Sequence, residues 1–282
     1  MNILTFDIEE WFHLLDNEST KTSKEWNGFE VRIHNNMDRI FDLLESNNLK
    51  ATFFIVGWIA QKYPEIVKRI DAKGYEIGSH TNMHQLMYNQ SIMDVSEDLK
   101  KSISVLENIT GKKVNSFRAP GFSITEKNKW AFEILANNGI THDCSVFPAR
   151  RSHGGIPNFG KSLPSRLIYR GIELKEFPIN TANILSKPWI YSGGGYFRMT
   201  PYKLINYWTT RSDYVMTYFH PRDFDPEQPI IKELSSFRKF KSYVGLKTCM
   251  PKLDQWVNDF DFVDLKTADS MIDWSKAPIV RL

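Results

Sequence analysis

Apolar positions along the chain follow two alternating rhythms. Short unbroken apolar runs, the mark of buried strands, alternate with stretches in which apolar residues recur every three or four positions, the mark of amphipathic helices. The first run, residues 3–6, predicts a strand close to the start, with Asp7, Glu9 and Glu10 at its C-terminal end. Ile33, Met37, Ile40, Phe41 and Leu44 follow at helical spacing, and residues 51–57 (ATFFIVG) predict a second strand rich in β-branched and aromatic side chains. Residues 58–74 read as one helix stopped by Gly74, and 75–80 as a short strand running into a loop. Residues 91–109 predict a helix with Val95, Leu99, Ile103 and Leu106 on one face. Phe117 marks another short strand, 126–137 a helix, and residue 140 onward a further strand end.

This alternation predicts an α/β fold with a parallel sheet, closed or nearly closed into a distorted (β/α) barrel with fewer than eight regular repeats. Arg150, Arg151, Gly154, Gly155, Pro157 and Gly160 interrupt the rhythm and predict a loop insertion around residues 148–165 within a single domain spanning 1–282. The pair Arg150 and Arg151 reads as a solvated part of that loop. Beyond it, residues 167–179 predict a strand or hairpin, and 193–198 (GGGYFR) a tight turn. Residues 215–220 (VMTYFH) predict a strand ending in His220. The three glycines lack the spacing of a phosphate-binding loop, so a positive φ or a close backbone approach accounts for them better.

Composition narrows the function classes. With 41% hydrophobic and 24% charged residues, the 282-residue chain has the balance of a soluble globular protein. A formal net charge of +3, with Lys and Arg dispersed along the sequence, points to neither nucleic acid nor a membrane surface as partner. Cys144 and Cys249 give neither a disulfide framework nor a thiolate metal site. No stretch approaches the roughly 18 apolar residues of a membrane span, and no secretory leader precedes the first strand, so a cytoplasmic location is expected.

Several strand ends carry reactive groups: Asp7 and Glu9, then His80, Arg118 and His220. In a parallel barrel such ends meet at one mouth. His80 and His84 would share a face if GSHTNMHQL formed a helical turn, and a carboxylate from another strand end would complete a two-histidine, one-carboxylate metal site. Asp7 and His220 are the residue types needed on either side of a hydrolysed amide, one to take a proton from water and one to give a proton to the departing nitrogen. His13, His34 and His153 read as surface or packing histidines.

Five ordered motifs over roughly residues 1–224 resemble the polysaccharide deacetylase family, the carbohydrate esterases of NodB-homology type. They are TFDIE, HTNMH (80–84), FRAPGF (117–122), HDCSVFP (142–148) and YFH (218–220). Asp-x-Glu in the first motif, GGGYFR and HPRDFDP (220–226) are similar to the branch associated with exopolysaccharide and surface-glycan synthesis. The resemblance implies a deacetylase barrel and removal of N-acetyl groups from an amino sugar. It implies Asp7 as general base paired with Arg118, His220 as general acid oriented by Asp143, and His80 and His84 as metal ligands. The family's metal carboxylate normally follows the base directly, where this chain has Ile8. Glu9, two residues from Asp7, is the expected ligand, with Glu10 as the alternative. The backbone N–H of Phe122 is the implied oxyanion donor, and Trp11, Pro120 and Phe122 are the expected substrate contacts.

The implied cofactor is a divalent metal: zinc first, with cobalt, nickel or iron compatible with the same ligands. The implied partner is a carbohydrate, whether nucleotide-linked, lipid-linked or an oligosaccharide. Two further functions fit the same fold, hydrolysis of small cyclic amides or imides and non-catalytic glycan binding. Ile8 in the usual ligand position favours the latter, and retention of the other motif residues opposes it.

Overall fold

The structure, a computed structural model, describes residues 1–150, 153–184 and 187–282. The strands it forms are β1 (Asn2–Ile3), β2 (Thr5–Ile8), β3 (Thr52–Ile55), β4 (Glu76–Ser79), β5 (Ser116–Phe117), β6 (His142–Asp143), β7 (Ser165–Tyr169), β8 (Ile172–Glu176), β9 (Ala182–Ile184), β10 (Lys187–Trp189), β11 (Val215–Met216), β12 (Phe262–Val263) and β13 (Ile279–Arg281). β2, β3, β4, β5, β6 and β8 lie side by side and parallel. β7 pairs with β8 as an antiparallel hairpin, and β13 pairs parallel outside β7. β1 sits between β11 and β12, parallel to both. A bridge from Phe6 to Phe219 carries that contact along β2. The result is a distorted (β/α) barrel with a largely parallel sheet, as the alternation of periods predicts.

β2 and β3 are buried at every position, which is why they read as unbroken apolar runs: helices cover the outer face and the barrel interior covers the inner one. The helices Ile33–Ser46, Ile92–Thr110 and Leu246–Asp259 turn Met37, Ile40, Leu44, Leu99, Leu106, Leu253 and Trp256 onto the sheet. Ser91 starts the second of these helices by accepting from the N–H of Asp94, whose carboxylate accepts from the N–H of Ser91 in return. No helix among the described residues is long and apolar enough to cross a membrane.

Four elements differ from their sequence reading. The helix expected over 58–74 is two, Gly57–Lys62 and Pro64–Ala72, because the proline ring drives Tyr63 out of the helical region (φ −133°, ψ 62°) and Pro64 then opens a new first turn. The helix expected over 126–137 is confined to Ala131–Asn137, since Asn128 Oδ1 accepts from both the N–H and the hydroxyl of Thr125 and holds a turn before it. GGGYFR opens a short helix, Gly194–Met199, rather than only a turn. Its glycines are required by contact: a Cβ on Gly193 would lie 2.0 Å from the Tyr218 carbonyl oxygen, and Gly194 has φ +51°. Of residues 215–220, only Val215–Met216 join a ladder, with single bridges at Tyr218 and Phe219 beyond it. Of the expected insertion, Arg150 is exposed, whereas Arg151 lies outside the described residues.

Register positions the site. Ile8 is level with Ile55, Ile55 with Ser79, Ser79 with Phe117, Phe117 with Asp143, and Asp143 with Glu176. The C-terminal ends of consecutive strands therefore stand in one row, which places Glu9, His80 and Arg118, each following a strand end, at the same end of the sheet.

Candidate active site

Asp7 and Arg118 meet at the centre of that mouth. Arg118 is fully buried and donates from Nη1 to Asp7 Oδ1 at 2.7 Å and to Thr5 Oγ1 at 2.7 Å. Its remaining donors reach the carbonyls of Cys144 and Thr217, both at 3.3 Å, and its guanidinium stacks over the Phe54 ring at 4.4 Å. A guanidinium so completely bonded has one orientation, and it fixes Asp7 with it. Asp7 Oδ2 is left facing His220, 3.9 Å from Nε2.

Glu9, His80 and His84 each place one ligand atom within 4.8 Å of the others, all three buried. The two-residue step from Asp7 to Glu9 does put both acids on the same side: His220 Nε2 lies 4.0 Å from Glu9 Oε1 as well. His80 Nδ1 lies 2.7 Å from the Arg118 carbonyl oxygen, an acceptor, so Nδ1 carries the proton and Nε2 presents a lone pair. Glu9 Oε2 sits 2.6 Å from His84 Nε2 yet has no partner in hydrogen-bonding geometry. Two imidazoles and a carboxylate converging around a buried, unsatisfied oxygen fit a divalent cation. Burial alone would raise the Glu9 carboxyl, but the charges of His84, His220 and His13 outweigh it and hold it well below the usual range. Burial pushes His80 down to about 4, keeping its imidazole neutral as a ligand must be.

The histidines reach this position by a strained loop, not the helical turn expected from their spacing. Thr81 and His84 take φ of +63° and +50°, which is unusual for side-chain-bearing residues and costly for the β-branched threonine. The loop is held by Asp98, on the helix behind it, which accepts from the N–H groups of Asn82 at 2.7 Å and Met83 at 3.0 Å. Thr81 Oγ1 accepts from the His84 N–H at 3.1 Å.

His220 is anchored by a carboxylate other than the expected one. Its Nδ1 lies 2.9 Å from Asp223 Oδ2, which also accepts from the His220 N–H at 2.9 Å. Arg198, from GGGYFR, pairs with the other Asp223 oxygen at 3.1 Å. Burial opposes a charge on His220, but the hydrogen bond and charge of Asp223 outweigh it and push the imidazole up to about 9. Asp143 instead accepts from the Ser145 hydroxyl at 2.5 Å and shares a buried environment with Glu176, where burial lifts it to about 6 and Glu176 further. The physical reason is reach: Asp143 ends β6, on the far side of Arg118, whereas Asp223 is one turn of 3₁₀-helix from His220.

Other expectations are also corrected. The Phe122 N–H donates to the Ala119 carbonyl at 3.0 Å, because Gly121 and Phe122 (φ +60° and +56°) close a tight turn; that donor is already satisfied. Pro120 is buried in the same turn. Trp11 is a core residue, packed against Phe12 and Phe29 with its indole N–H on the Glu30 carbonyl. Glu10 turns away from the histidines. It accepts from the N–H groups of Trp11, Arg32 and Ile33 and so caps the helix Ile33–Ser46, and burial lifts it to about 7. Asp223, Arg198 and Glu176 escaped the sequence reading, although an acid three residues after the histidine of HPRDFDP is a legible capping spacing. His13, expected as a surface or packing residue, is packed 4.3 Å from the Trp26 ring and 5.8 Å from that of His84. A cavity of about 420 Å³ opens beside these two histidines, walled by Asp16, Thr20, Lys21 and Leu86.

Residues 4–141 match the profile of the polysaccharide deacetylase family, and residues 144–269 that of a domain of unknown function (DUF3473). The chain is 36% identical over 96 residues to a peptidoglycan-N-acetylglucosamine deacetylase of Bacillus cereus, covering 34% of this chain and 35% of that protein. It is 37% identical over 87 residues to a chitin deacetylase of Pestalotiopsis sp, covering 30% and 29%. The matches span about a third of the length of these curated relatives. In fold, the whole chain superposes on 92% of a Mycobacterium smegmatis structure assigned as a polysaccharide deacetylase, with a TM-score of 0.66 at 17% identity. It also superposes on 69% of a CE4-family pseudoenzyme of Bacillus anthracis, with a TM-score of 0.51 at 14% identity.

Proposed function

Since the chain belongs to the polysaccharide deacetylase family, we propose that it hydrolyses the N-acetyl group of an amino sugar, releasing acetate and a free amine. The observation that carries this reading is the placement of Asp7 Oδ2 opposite His220 Nε2 at 3.9 Å, beside the buried trio Glu9, His80 and His84. In this reading Asp7, held by Arg118, takes a proton from the attacking water. His220, kept protonated by Asp223, gives one to the departing nitrogen. Arg198 fixes Asp223, and the cavity beside His13 and His84 receives part of the sugar. A divalent ion on Glu9, His80 and His84, zinc by choice of ligands, would supply Lewis acidity at the acetyl carbonyl.

Two finer statements belong to the same proposal. The substrate is a glycan or glycan precursor in surface-polysaccharide synthesis, supported by GGGYFR and HPRDFDP, whose arginine and aspartate build the His220 anchor. The chain works as one catalytic unit over 1–282, supported by Asp7 and His220 meeting from its two halves. The test is acetate release from N-acetylhexosamine compounds by the wild type, Asp7→Asn and Glu9→Gln. Asp7→Asn should keep metal and lose turnover by at least about 10²-fold, the size of a general-base contribution. Glu9→Gln should weaken metal affinity and recover partly in excess metal. Normal metal affinity in Glu9→Gln would remove Glu9 from the ligand set.

A further inference from the structure

The helix Ser236–Tyr243 (SFRKFKSY) has no buried residue, in a chain whose other long helices each bury an apolar face. Phe237 and Phe240, three apart and so on one side, are 70% and 57% exposed, and Ile230 before them is 62% exposed. Large aromatic side chains left in water on a short helix mark a surface that something covers. The charge of this segment is one-sided. Residues 230–243 hold four basic residues, Lys232, Arg238, Lys239 and Lys241, and one acid, Glu233: a net +3, equal to that of the entire chain. Sequence-wide dispersion of Lys and Arg hides this local excess. Among the described residues, none of the four has a carboxylate oxygen within 4 Å.

The helix is also tied to the candidate active site from both sides. Arg238 donates to the carbonyls of Leu15 and Asp16, each at 2.7 Å, in the segment that walls the cavity beside His84. Arg198, the partner of Asp223, donates to the carbonyls of Lys241, Ser242 and Val244 at the other end.

From these observations we propose that the helix Ser236–Tyr243, with Ile230, is a docking element for an anionic lipid bilayer surface, which seats the mouth of the barrel at the membrane. Exposed phenylalanines beside lysines and an arginine that no carboxylate neutralises are the signature of a helix lying in the headgroup region, where the rings enter the acyl boundary and the cations meet anionic lipid. A second copy of the chain is disfavoured as the occupant, because a two-fold contact would set this basic face against itself. Docking here requires no membrane-crossing helix. It is independent of the deacetylase reading, since its readout is binding, not turnover.

Co-sedimentation of the full chain with equimolar phosphatidylcholine–phosphatidylglycerol vesicles, against pure phosphatidylcholine vesicles, tests this. The protein should bind the anionic vesicles at least about tenfold more tightly, and progressively less as salt rises. Phe237→Ala combined with Phe240→Ala should weaken binding by at least about tenfold while the circular-dichroism melt of these exposed positions stays near wild type. Equal binding to both vesicles, no binding, or binding undiminished in the double variant would overturn the proposal. So would a concentration-dependent dimer in sedimentation velocity that the same variant dissolves.

Discussion

At the residue scale the candidate site is a set of side chains with one orientation each, and the carboxylate behind His220 shows how that orientation is assigned. Asp223 bonds both the ring and the backbone N–H of His220, and Arg198 holds its other oxygen. Asp223→Asn should therefore lower turnover by at least about 10²-fold, since the neutral amide no longer favours the imidazolium that gives the proton. Asp143→Asn, in a buried pair with Glu176 that makes no hydrogen bond to His220, should cost much less. Single-turnover acetate release compares the two directly, and the reverse order would return the orienting role to Asp143. Asp7, Glu9, His80, Arg118 and His220 are legible in sequence because they lie within or just beyond short runs that mark β2, β4, β5 and the extended segment to Phe219. Trp11 and Glu10 stand beside the acids in sequence but not in space, so Trp11 as a substrate contact and Glu10 as the alternative ligand find no support in the geometry. Once β2 stops at Ile8 the chain turns, and those two side chains enter the packing around Phe12, Phe29 and the start of the helix at Ile33.

At the element scale, the legible features were those set by periodicity, and the illegible ones were set by single backbone exceptions. The helix at 92–110 matched its pattern almost to the residue because Ser91 and Gly111 (φ +69°) punctuate it. The break at Tyr63 was signalled by Pro64 and overridden by continuous apolar spacing on both sides of it. The left-handed turns at Thr81, His84 and Phe122 have no sequence signature, since none is a glycine. Strand β4 carries a prediction of its own. Glu76 accepts from the Thr52 hydroxyl at 2.7 Å and the Lys266 N–H at 2.8 Å, yet burial lifts its carboxyl from 4.5 to about 7. A carboxyl raised on folding contributes stability below its unfolded pKa and loses it as pH rises through the folded one. Between about pH 4.5 and pH 7 this group therefore lowers the melting temperature as pH increases. Glu76→Gln, which keeps an acceptor oxygen without the ionisation, should flatten that part of the melting profile. An unchanged slope would place the titration elsewhere.

At the scale of the whole molecule, the first strands are tied to the second half of the chain. β1 lies between β11 and β12, and the Met1 amino group donates to the Asp213 carbonyl at 2.8 Å. The bridge between Phe6 and Phe219 brings Asp7, from the segment with the deacetylase profile, to 3.9 Å from His220, from the segment whose profile carries no function. Sequence order could list these residues, but only the pairing of their segments sets the distance between them. The central proposal is hydrolysis of an N-acetyl sugar by the converged groups with one metal ion held by Glu9, His80 and His84. The most direct measurement strips the protein with a chelator and follows acetate release from an N-acetylhexosamine oligomer as zinc is titrated back. Release should be absent in the stripped protein, rise to a plateau at a single ion per chain, and fail to return in His84→Ala. Full acetate release from stripped protein, or one bound ion with no acetate released from any such substrate, would contradict it.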